Sequence, residues 1–278
     1  MSPALLLLPL LAQMGPGGAV QLKPLDIQRE KPAKVVAAQQ SPKLKDCLDL
    51  AMQRPPDGIA LADAWLAEAK AMTDRAAASQ CKALALTRID GWGEAGALFL
   101  AARADTPVHE SGERARLGAL AGNALLVAGD TAGALAALDN ARADANQAKD
   151  PQLGGVIQID RARALVALGQ ADSAAAALRE ARELVPDNAQ AWLLSATLAR
   201  RQGKLGEAQG QIQRAAELMP VDPEIGLEAG VIAVLGGRDE AARRSWQSVI
   251  KAAPGSDHAR TAQLYLDQLG AAPTQPPR

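Results

Sequence analysis

The sequence predicts an all-α solenoid of antiparallel helix hairpins, and three observations carry that expectation. Residues recur at a step of 34: Pro186, Pro220 and Pro254; Gly169, Gly203 and Gly237; Ala174, Ala208 and Ala242. A repeat of roughly 20 to 50 residues marks stacked supersecondary units. Within a unit the small and apolar positions Ala174, Leu178, Ala181 and Leu184 fall at steps of four, three and three, one face of a helix. Aromatic residues are scarce, with one Phe and one Tyr, which disfavours strands and sandwiches.

Each element of the unit has a physical reason. The repeated glycine lies five residues before the repeated alanine, where a left-handed turn ends the first helix. Ala174, Ala208 and Ala242 stand where two helices cross closely, and a larger side chain would push the axes apart. Leu178, Ile212 and Trp246, then Ala181, Ala215 and Val249, continue the second-helix face. Leu184, Leu218 and Ala252 close the same face. The prolines stop that helix and release the chain for the next hairpin. Asp187 and Asp222, close after two of them, are expected to cap the following helices.

The order of these positions resembles the tetratricopeptide repeat, a family with a unit of 34 residues. With units starting at Gly155, Ala189 and Pro223, Gly falls at position 15, Ala at 20 and Pro at 32 each time. Trp192 and Gly230 suit positions 4 and 8, whereas Arg161, Ser195 and Ala199 replace larger apolar residues at positions 7 and 11. Upstream, Gly122, Gly129, Ala134, Leu138 and Ala141 fit a unit starting near Ala115, followed by an overlong stretch to Pro151 that is either an extended helix or an inserted loop. Glu94, Ala95, Phe99, Ala102 and Pro107 fit a unit starting near Ala76, and a degenerate first unit runs from Pro42 through Trp65. Ser256 to Leu269 reads as a final capping helix. The resemblance implies a right-handed superhelical array of about five to six units over 42–270, with a disordered tail over 271–278.

Cys47 and Cys81 are the only cysteines and are also 34 residues apart. They are either a disulfide between successive first helices or two buried small apolar residues. Ala4 to Ala12 is a short apolar block leading to Gly17, Gly18 and Ala19, which reads as a secretory leader over 1–19 cleaved after Ala19. No Lys or Arg precedes that block, so a buried or disordered segment of a cytoplasmic protein is the alternative. A flexible linker is expected over 20–41, rich in charge and poor in large apolar residues. On the leader reading the protein is periplasmic or secreted.

No catalytic set emerges, so no enzyme, cofactor or metal site is expected. His109 and His258 have no second ligand at metal spacing, and Ser173 and Ser195 have no histidine within their units. The net charge of -1 argues against nucleic acid as the main partner, and no apolar run reaches a membrane span. Trp65 and Trp246 fall at second-helix packing positions, Trp192 on a first helix and Trp92 in an inter-helix turn.

The resemblance places partner binding on the concave stripe formed by positions 2, 5, 9 and 12 of the first helices. Arg116, Asn123, Arg163, Thr197, Arg200 and Glu224 lie on it, interleaved with Val156, Ile159, Gln190, Leu193, Leu227 and Val231. Arg163 and Arg200 read as free of packing duties. Relatives that clamp a peptide carboxylate use a Lys/Asn set, of which Asn123 is one member; Ala119, Asp160 and Leu194 stand where partners would be, so that activity does not transfer. The expected function is a non-catalytic scaffold for a protein or peptide partner in the cell envelope. An assembly subunit docking through its outer surface or the linker is the alternative.

Overall fold

A computed structural model describes residues 41–270. The leader read over 1–19, the linker up to residue 40 and the tail over 271–278 lie outside the described residues. Thirteen helices and no strand occur among the described residues. Contacts divide the chain at Val185.

In the first unit, α1 (Pro42–Gln53) and α2 (Pro55–Glu68) form one hairpin, and α3 (Met72–Thr87) and α4 (Trp92–Asp105) the next. Two more follow: α5 (Ser111–Val127) with α6 (Thr131–Ala148), then α7 (Pro151–Ala167) with α8 (Ala171–Leu184). The second unit contains α9 (Ala189–Arg201) with α10 (Leu205–Leu218), α11 (Pro223–Leu235) with α12 (Asp239–Ala252), and the cap α13 (Asp257–Leu269).

The turns follow the sequence logic. Gly169, Gly203 and Gly237 have φ of +74°, +75° and +71°, backbone that a side chain resists. Asp222 caps α11 as expected, accepting from the N–H groups of Glu224 and Ile225 at 2.9 and 3.0 Å. Asp187 does not cap α9. Its neighbour Asn188 does, accepting from Gln190 and Ala191, while Asp187 pairs with Arg214 at 3.2 Å. The overlong stretch before Pro151 is an extended helix: α6 runs to Ala148, Lys149 turns at φ 54°, and Asp150 caps α7. Trp92 is also corrected, for it opens α4, half-buried, with its indole N–H donating to Asp90 at 3.2 Å.

Close helix crossings set the core. Ala174, Ala208 and Ala242 are fully buried, and Leu178, Ile212 and Trp246 lie beside them at 2% exposure. Ala208→Leu should overpack the α9–α10 hairpin and cost about 1 to 3 kcal/mol; an unchanged melting temperature would contradict the crossing role. Arg243 of α12 donates to the carbonyls of Leu269 and Gly270 and so ties down the end of α13. The outer face of that helix is mostly polar, as a terminal cap requires.

Cys47 of α1 and Cys81 of α3 are disulfide-bonded, with Cα atoms 5.9 Å apart. The bond joins the first helices of two successive hairpins, and both residues are fully buried.

Candidate partner-binding face

First helices of successive hairpins pack side by side within each unit, α1 against α3 and α5 against α7 in the first, α9 against α11 and α11 against α13 in the second. Their exposed edges form a face within each unit, and the stripe residues fall on these helices. Arg116 and Asn123 sit on α5, Val156 and Arg163 on α7, Thr197 and Arg200 on α9, Glu224 on α11. Arg116 and Glu224 are exposed; Asn123, Arg163, Thr197 and Arg200 are half-buried. Ile159, Leu193 and Val231, also on the stripe, are buried. They serve the core rather than a partner.

The arginines are not free of structural duty, which corrects the sequence reading. Arg200 holds Glu228 of α11 through two parallel contacts, Nε at 2.6 Å and Nη2 at 3.3 Å. That fork-to-carboxylate pairing is the strong form of the interaction. Arg163 donates from Nη1 to Asp160 at 2.5 Å. Arg116 donates to Glu113 at 2.9 Å. Each cation of the stripe therefore has an acid beside it.

Asp160 is the pivot of the first unit's network. Its side chain has no exposure, and its two oxygens accept from Arg163 and, across to α5, from Asn123 at 2.9 Å. Burial pushes its carboxyl above the ordinary value, while Arg163 and Asn123 pull it back only in part. A carboxyl raised in the folded state adds stability while protonated and gives it up as pH rises through the folded value. Ionising Asp160 is thus a cost to the fold. In the second unit, burial pushes the Tyr265 hydroxyl of α13 up, with Arg200 opposing and Glu228 adding to the shift.

A second polar cluster is structural. Asp144 of α6 accepts from Arg103 of α4 at 2.7 Å and lies 3.6 Å from Arg114 of α5, whose Nη1 donates to the carbonyls of Arg103 and Thr106. It ties three helices at the edge of two hairpins. No metal-binding group of three or more His, Cys, Asp or Glu occurs among the described residues, nor any helix long and apolar enough to cross a membrane.

Sequence reasoning missed Glu228 and took Asp160 only as a departure from the clamp pattern. Both stand at position 6 of their units, opposite Arg or Asn at position 9 or 12 of an adjacent first helix or one turn along their own. That shared register was the available signal.

Comparison with known proteins agrees with this architecture. The tetratricopeptide-repeat family model matches residues 159–216 and again 193–257. The solved structure of PilW, described as a widely conserved type IV pilus biogenesis factor, is similar at a TM-score of 0.64 and 19% identity, over 81% of this chain and 100% of that one. PilF from Pseudomonas aeruginosa has a TM-score of 0.61 at 14% identity, over 81% and 98% of the two chains. MamA from Desulfovibrio magneticus RS-1 has 0.55 at 18%, over 67% and 99%. At such identities the likeness is one of fold. No curated protein sequence matches the chain.

Proposed function

We propose that this chain, whose residues 159–257 match the tetratricopeptide-repeat family model, is an exported scaffold taking a protein segment along its first-helix stripe. The observation that carries the reading is the stripe itself. Val156, Gln190 and Thr197 are partly exposed at helical spacing on first helices and make no hydrogen bond or ion pair through their side chains among the described residues. A core position would be buried. The apolar block Ala4 to Ala12, followed by the small-residue site Gly17, Gly18 and Ala19, supports export. The likeness in fold to PilW, a type IV pilus biogenesis factor by its description, supports that setting and names no partner.

The arginines are poor tools for the test, because removing Arg163 would strand Asp160. Val156→Arg with Thr197→Arg places long cations on the stripe and leaves the ion pairs intact. Ala176→Arg with Gln213→Arg does the same on exposed positions of the second helices. Partners captured by the mature chain from its host should fall at least tenfold with the first pair and hold with the second, both with helicity retained. Loss only from the second pair would move binding to the outer surface, the assembly-subunit reading.

A further inference from the structure

Resting on that reading of the first-helix face, we propose that Asp160 sets its charge preference. By neutralising Arg163, it makes the Asn123–Arg163 pair a receptor for an uncharged main-chain amide of the partner segment and disfavours a carboxylate.

The argument is an inventory of donors and acceptors. Asn123 spends Nδ2 on Asp160 at 2.9 Å and on the Ala119 carbonyl at 3.1 Å. Its Oδ1 has no donor among the described residues. Arg163 spends Nη1 on Asp160, and its Nε and Nη2 have no acceptor among the described residues. The network therefore leaves one acceptor on α5 and donors on α7, both on partly exposed side chains. A peptide unit offers the complement, an N–H and a C=O. Asp160 bonds to both residues, so it holds their rotamers and offsets the charge of Arg163.

Charge decides between amide and carboxylate. With Asp160 ionised, the pair carries no net charge, and an incoming carboxylate meets a fixed negative group in surroundings that screen poorly. Such a like charge is the repulsive element that specificity requires. Arg200 offers no free cation in its place, because Glu228 takes its Nε and Nη2 in a side-on pair and offsets its charge. Asp160 is here a positioning residue, acting through Arg163 and Asn123.

The test uses an array of 15-residue peptides, each synthesised as a C-terminal amide and as a free acid, probed with the full mature chain. The wild type should bind the amide form at least as tightly as the acid, with little dependence on salt. Asp160→Asn keeps the shape and a link to Asn123 but removes the charge. It should shift the acid-to-amide ratio at least tenfold toward the acid and make binding weaken as salt rises. A wild type that prefers free acids, or a ratio unmoved in the variant, would overturn the proposal. Should Asp160→Asn fail to fold, Arg163→Gln serves instead: it leaves Asp160 uncompensated, so acid binding should fall by several-fold more than amide binding, and equal losses would refute the assignment. Capture of no peptide by the wild type would sink the groove reading itself, whereas capture with the wrong ratio defeats only the role given to Asp160.

Discussion

Trp246→Ala is expected to cost about 3 to 5 kcal/mol, the range for emptying a buried aromatic site. The indole is 2% exposed and among the largest fully buried side chains. Its N–H donates to the Leu227 carbonyl of α11 at 3.2 Å, and its ring lies 5.1 Å from that of Tyr265 on α13. One side chain thus joins the last hairpin to the cap. The space it fills exists because Gly230 has no side chain; a Cβ there would collide with the indole. Gly230→Leu alone should therefore destabilise, yet in the Trp246→Ala background it should recover part of the loss, a coupling that independent sites would not show. In a solenoid each repeat leans on its neighbours. Hydrogen exchange should accelerate in α11 to α13 and stay unchanged in α1 to α4. Uniform acceleration, or additive single effects, would show that the cap is not held through this contact.

How legible the chain was depends on whether a position is governed by steric rules or by partners distant in sequence. The glycine, alanine and proline steps were readable because each answers a local demand: positive φ at Gly203, close crossing at Ala208, helix arrest at Pro220. The same rule repeated three times removes ambiguity. Caps were half legible. Asp187 and Asn188 are adjacent and chemically alike, and only the path of the turn after Pro186 decides that Asn188 meets the free N–H groups. The ion pairs were hidden for another reason. Glu228 reaches Arg200 across 28 residues and Asp160 reaches Asn123 across 37, so the two pairings share no common spacing even though both acids stand at position 6 of their units. Burial of Asp160 was not foreseeable from its own helix, since polar Gln158 two residues earlier is fully buried as well. The chemical character of the face therefore came from the packing of successive hairpins.

The disulfide was one of two open readings, and its consequences separate it from plain packing. Cys47 and Cys81 bracket α2 and close a loop of 34 residues, worth roughly 3 to 4 kcal/mol if the bond acts mainly on the unfolded chain. The staple sits at the end of the described array where support is least, because α1 and α2 have one hairpin beside them instead of two. Most of its worth should therefore appear locally. Replacing both cysteines by alanine keeps small apolar side chains at two fully buried positions. Exchange in α1 and α2 should then rise by about 100-fold or more, the equivalent of some 3 kcal/mol, while α5 to α8 hold. Reduction of the wild-type protein should reproduce that pattern without any change of sequence. If the alanine variant loosened α1 and α2 but reduction did not, the cysteines would be acting by packing alone. If neither treatment moved exchange in α1 and α2, the first hairpin would be held by contacts such as Leu44 and Trp65 without need of the bond.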